Sequence, residues 1–145
     1  MPDTHRIFVS YSDADKETAR DVSDRLAQAG ARVRTDKAIR PGEDWIEVIE
    51  RGLRDSDIYL LLVSPQFVSS EICLYEVGFA LKGQRAGATI IPVAIGDTDM
   101  RGLPPYLRKF HVIDGRGVPA DQIAGKVLDR LSNPQAPVPR QPVAA

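Results

Sequence analysis

The chain has 145 residues, enough for one domain with a proper core. Hydrophobic residues make up 43% and charged residues 27%, as in ordinary soluble globular proteins, and a net charge of -1 argues against direct nucleic-acid binding through a broad basic surface. The one cysteine, Cys73, excludes an internal disulfide and suits a reducing compartment. His5 and His111 are far apart, and no Cys/His spacing resembles a metal site. The opening "MPDTHRIFVSYS" lacks the apolar stretch of a signal peptide, and no apolar run reaches the length of a membrane span. These features together point to a cytoplasmic protein that does not enter a membrane.

"RIFVSY" (6–11) is a short run of β-formers and reads as a buried strand. In the following "SDADKETARDVSDRLAQAG", Ser12 is placed to cap a helix, with Asp13 and Asp15 near its positive end. Ala19, Val22, Leu26 and Ala29 form the helix's apolar stripe, and Gly30 stops it. "ARVRT" (31–35) reads as a more polar strand near a sheet edge. "DKAIRPGED" (36–44) is a long loop punctuated by Pro41-Gly42. Asp44 with Glu47 resembles a capping box for a helix through "WIEVIERGLRDS".

"DIYLLLVS" (57–64) is almost wholly apolar, as expected of a central parallel strand covered on both faces. Pro65 ends it, and a helix with Cys73, Val77, Ala80 and Leu81 on one face follows. "ATIIPVAI" (88–95) is another buried strand, in which Pro92 suggests a strand end or bulge. "FHVID" (110–114) reads as the fifth strand. Pro119 opens a last helix that buries Ile123, Val127, Leu128 and Leu131. The proline-rich tail after Asn133-Pro134 reads as an extended linker or a disordered end, which places the domain at residues 1–132 and the tail at 133–145.

Strands that alternate with helices give a parallel sheet between helical layers, an α/β flavodoxin-like three-layer sandwich. Right-handed crossovers favour the five-stranded order 2-1-3-4-5. Such folds bind ligands at the carboxyl ends of the strands where the order reverses, here between the first and third strands. Tyr11 and Ser12 leave the first strand there. Trp45 follows the loop after the second, and Glu76 lies on the helix after the third.

Glu76 stands beside the apolar stripe of its helix, and a half-buried carboxylate is costly unless something pairs or uses it. One carboxylate with two aromatics suits a base joined to a ribose: aromatic faces stack on bases, and an anion beside the sugar stabilises an oxocarbenium-like transition state. No second acid is needed if the leaving group departs neutral, as nicotinamide does. Each residue also has a purely structural reading. Glu76 can be a salt-bridged rim residue, Trp45 and Tyr11 core anchors, Ser12 a helix cap and Cys73 a packed thiol. No G-x-G-x-x-G or Walker-type loop is present, so no cofactor is expected to be bound in those modes.

Taken in order, "RIFVSYSDAD", "RTDKAIRPGEDWIEVIERGLRDSDIYLLLVSPQFVSSEICLYEVGFAL", "IIPVAI" and "LPPYLRKFHVID" resemble the boxes of Toll/interleukin-1 receptor (TIR) domains, of the kind found in bacterial NAD-cleaving effectors. The resemblance covers about residues 5 to 131. It implies one of two activities, adaptor signalling through domain contacts or NAD+ glycohydrolase/cyclase chemistry with NAD+ as substrate and no cofactor. Enzymatic members require a Glu in a S-x-x-C/W-x-x-E-like context, and Ser70, Cys73 and Glu76 match that spacing. Tyr11 matches the first-box aromatic, and Trp45 falls near a pocket aromatic. Ser12-Asp13 stands where some enzymatic members carry Arg, and Lys37 and Arg40 are the nearby cations that can substitute. The loop holding Asp36, Ile39, Arg40, Pro41 and Gly42 borders the active site in that family and contacts a neighbouring TIR domain, which implies self-association, filaments included, and a sensor domain beyond the tail. A nucleoside deoxyribosyltransferase-like enzyme, with a related fold and a Glu nucleophile, is a third reading.

Overall fold

The computed structural model describes residues 5–35, 54–69, 89–103, 107 and 110–132. The expected 36–44 loop, the helix opening at Trp45 as far as residue 53, the Glu76 helix and the tail lie outside them. The described elements are β1 (Arg6–Ser10), a 3-10 turn (Asp13–Asp15), α1 (Lys16–Gln28), β2 (Arg32–Thr35), β3 (Ile58–Val63) and α2 (Pro65–Val68). They continue with β4 (Thr89–Ala94), a second 3-10 turn (Met100–Gly102), β5 (Ile113–Asp114) and α3 (Ala120–Ser132). The sheet is parallel throughout, in the order β2-β1-β3-β4-β5 expected from the crossover rule.

The two-residue period of the strands sorts the core into two layers. On one face Ile7, Val9, Leu60, Leu62, Ile91 and Val93 pack under Ala19, Val22 and Leu26 of α1 and Ile123 and Val127 of α3. On the other, Phe8, Tyr59, Leu61 and Val63 meet Phe67 of α2 together with Leu103, Leu107 and Val112. β3 is buried along its whole length because both faces are covered. β2, at the edge, alternates exposed and half-buried residues. At the amino end of the sheet Arg6 donates to Asp57 from Nε and Nη2 at 3.1 and 2.9 Å. That hydrogen-bonded guanidinium holds the Asp57 carboxyl below its usual range.

Three sequence expectations need correction. Ala29 is exposed, because α1 has ended there: the Gly30 and Ala31 amides bond back to the Ala27 and Leu26 carbonyls, with Gly30 at φ 100. This is the Schellman arrangement, and it turns Ala31 rather than Ala29 onto the core. The fifth strand is only Ile113–Asp114. His111 sits in left-handed backbone at φ 59, outside strand geometry, and Arg130 Nη1 donates to its carbonyl at 2.9 Å.

Pro92 marks neither an end nor a bulge. It lies in mid-strand, in register with Leu61. The Thr89 and Ile95 amides point to β3, so alternation turns the Pro92 nitrogen toward β5, whose pairing begins only at Val93. No ladder donor is lost there.

Gly115 follows β5 at close quarters. A Cβ there would lie 2.9 Å from Val93 Cγ1, 3.0 Å from the Ala94 carbonyl oxygen and 3.3 Å from Ile123 Cγ1. All three of these neighbours are backbone or packed core and cannot swing aside. Gly115→Ala should therefore cost about 1–3 kcal/mol, read as a lower denaturant midpoint at unchanged m-value. An unshifted midpoint would show that the β5–α3 connection yields freely.

Candidate functional site

The sheet order reverses between β1 and β3, whose pairing ends at Ser10 and Leu61. From there the two chains part toward opposite faces, one into α1 and the other into α2. The crevice between them is where this fold class binds ligands.

The residues lining this exit are polar yet buried: Ser10 is 0%, Ser12 6% and Ser64 1% exposed. Buried hydroxyls must be satisfied, and two of them are satisfied as helix caps. Ser12 Oγ accepts from the Ala14 amide at 3.2 Å. Ser64 Oγ accepts from the Phe67 amide at 3.1 Å, with Pro65 in the first turn of α2. Both hydroxyls then donate to the same carboxylate oxygen, Asp15 Oδ2. Ser12 lies 3.3 Å from it, and Ser64 makes the shorter bond. Each serine has one proton, and both protons are spent on Asp15. On the far side of β3, Thr98 Oγ1 lies 2.8 Å from the Val63 carbonyl and 2.6 Å from that of Ile95, closing the exit toward β4.

Tyr11 is 8% exposed and belongs to the α1-side core. It also lines a cleft of ≈ 390 Å³ between the β1 exit, α1 and Thr35 at the end of β2. Asp13, Lys16, Arg20 and Asp24 supply equal numbers of acids and bases to that cleft. Ser23, also in its wall, has a buried hydroxyl with no hydrogen-bond partner among the described residues.

Of the residues singled out from sequence, Tyr11 and Ser12 stand together at this exit. Glu76, Cys73, Trp45 and Lys37, with the loop residues Asp36, Ile39, Arg40, Pro41 and Gly42, lie outside the described residues. Sequence reasoning missed the roles of Asp15 and Ser64. Two signals were there to find: Ser12-x-x-Asp15 has capping-box spacing, and Ser64-Pro65 is a cap followed by proline at the first helical position. No helix among the described residues is long and apolar enough to cross a membrane.

The TIR domain family profile matches residues 7–130. Three curated proteins illustrate the range of similar sequences. The probable 2' cyclic ADP-D-ribose synthase BdTIR of Brachypodium distachyon is 29% identical over 149 residues, covering 88% of this chain and 65% of that protein. The NAD(+) hydrolase TirS of Staphylococcus aureus (strain MSSA476) is 25% identical over 133 residues, covering 88% and 48%. The Toll/interleukin-1 receptor domain-containing adapter protein of Homo sapiens is 29% identical over 115 residues, covering 77% and 52%. The chain thus spans from 48% to 65% of the length of these relatives. Among solved structures, the TIR domain of the Toll-related receptor TRR-2 from Hydra magnipapillata superposes with a TM-score of 0.65 at 21% identity, covering 89% of this chain and 95% of that one. With the profile running from β1 into α3 across a sheet of the required order, the chain belongs to the TIR domain family.

Proposed function

We propose that this TIR domain cleaves the nicotinamide–ribose bond of NAD+, giving nicotinamide and ADP-ribose or a cyclic isomer. The observation that carries the reading is the Ser70–Cys73–Glu76 spacing after β3, in a chain similar to proteins named as an NAD(+) hydrolase and a probable 2' cyclic ADP-D-ribose synthase. In this reading the Glu76 carboxylate faces the ribose and stabilises positive charge as the C1′–N bond breaks. Nicotinamide leaves as a neutral molecule, so one carboxylate suffices. Tyr11, Trp45 and Cys73 line the nucleotide pocket, and Lys37 with Arg40 faces the pyrophosphate. Water, or a hydroxyl or ring nitrogen of the substrate itself, captures the cation and decides between linear and cyclic product. Incubation with NAD+ followed by chromatographic detection of free nicotinamide, in wild type and in Glu76→Gln, tests the reading. No nicotinamide from the wild type at any concentration would end it.

The domain is further proposed to work in the cytoplasm, in immune or anti-phage signalling, and to be switched on by self-assembly. The loop carrying Asp36, Ile39, Arg40, Pro41 and Gly42 meets a neighbouring TIR domain, head to tail and extending into filaments where the rotation does not close. A sensor domain beyond the tail would supply the local concentration. Specific activity of the isolated chain is then expected to rise at least about tenfold over a thousandfold range of protein concentration. A flat profile from a demonstrated monomer would rule out activation by a neighbour.

The second reading is a non-catalytic TIR–TIR adaptor, favoured by the similarity to the human adapter protein. It predicts self-association without nicotinamide release, under crowding as in dilute solution.

A further inference from the structure

We propose that Asp15 is a positioning residue that locks the β1 and β3 exits together and so fixes where the segment leading to Glu76 begins. Its catalytic part rests on the NAD+ reading above. The paired register of β1 and β3 ends at Ser10 and Leu61, and beyond it the two chains turn toward opposite layers of the fold. β3 remains tied to β4 past that point, through the Ile95 amide and Thr98. Toward β1, a side-chain link across the opening runs from Ser64 to Asp15.

The link is polarised in one direction from both ends. The Phe67 amide donates to Ser64 Oγ, which donates to Asp15. The Ala14 amide donates to Ser12 Oγ, which donates to the same carboxylate oxygen. Such chains strengthen each member, and the charge on Asp15 strengthens them further. Ser64 is at once the cap that starts α2 and the far end of the bridge, so the first turn after β3 is held against the first turn after β1. Glu76 lies twelve residues after Ser64 along this segment. Ser12 has no proton left for a ligand, so its effect on substrate passes through Asp15 and the width of the crevice.

Asp15→Ala leaves two buried hydroxyls without their acceptor but removes no group that this reading places on the substrate. The amides of Phe67 and Ala14 should then exchange with solvent at least about tenfold faster, while β1 and β3 keep their protection. A misplaced carboxylate weakens transition-state contacts more than ground-state binding, so kcat for NAD+ should fall at least about tenfold with KM within about threefold. Asp15→Asn, which keeps one acceptor oxygen, should recover part of both losses. Asp57→Asn, at the opposite end of the sheet, controls for stability and should leave kcat unchanged.

Wild-type exchange at Phe67 in a folded Asp15→Ala protein would overturn the lock. Faster exchange with wild-type kcat per folded molecule would overturn the positioning role. Should Asp15→Ala not fold, Asp15→Asn is read in its place, with about a threefold change expected in exchange and kcat and none taken as refutation. If the wild type releases no nicotinamide, the NAD+ reading falls. The Phe67 exchange rate then decides the lock by itself.

Discussion

Glu76→Gln should lower kcat for NAD+ cleavage by at least about a thousandfold, equivalent to about 4 kcal/mol of transition-state stabilisation. Glutamine keeps the shape and most hydrogen-bonding capacity of the side chain and removes only its charge. The charge is what an oxocarbenium-like transition state needs and the ground state needs far less. The loss should therefore appear in kcat, with substrate affinity close to wild type. The melting temperature should not fall if Glu76 stands beside the apolar stripe as the sequence pattern implies, because a carboxylate there gains nothing from burial. On the helical period expected from the sequence, about 100° per residue, Glu71, five residues earlier, would project away from Glu76. Glu71→Gln is accordingly the matched control and should keep most activity. Near-normal turnover by folded Glu76→Gln would remove the residue from the chemistry, whatever happened to the rest of the reading.

Phe67→Ala should cost about 3–5 kcal/mol of stability, a large share of the roughly 5–15 kcal/mol that holds a domain of this kind together. The ring is 0% exposed and packs with Phe8, Tyr59, Leu61, Leu103 and Leu107 on the face of the sheet opposite α1. It is the one fully buried residue of the short α2 helix. Deleting it both opens a cavity and loosens the turn that Ser64 caps. Phe67→Leu keeps most of the volume and should cost under about 1.5 kcal/mol. Urea titration of both variants, with m-values compared to wild type, checks this. A Phe67→Ala cost below about 1 kcal/mol would mean that the layer collapses around the vacancy, and that α2 contributes little to holding the exit of β3.

Much of the architecture was legible before any coordinates. "RIFVSY" and "DIYLLLVS" declared themselves as buried strands by their apolar runs, and β1 and β3 occupy them. The stripe Ala19–Val22–Leu26 announced the buried face of α1, and Ile123 and Val127 that of α3. These are local signals, set by periods of two or 3.6 residues. The strand order follows from them through the handedness of crossovers, which is why the position of the crevice could be named in advance.

What sequence could not supply was the outcome of contacts between distant residues. Nothing local in "FHVID" marks His111 for left-handed backbone. The bond to its carbonyl comes from Arg130, on the far helix. Pro92 reads as a break because its missing donor is a local fact, whereas the lack of any ladder partner on that side is a fact about β5. The same division runs through the candidate site. Ser12 as a cap and Tyr11 at the exit of β1 were visible in the order of residues. That Asp15 joins the cap of one turn to the cap of another depends on Ser64, 49 residues later, arriving beside it. Only the register of β1 against β3 brings them together, because hydrogen bonds act over about 3 Å and periodicity carries no information about which distant segment will fill that distance.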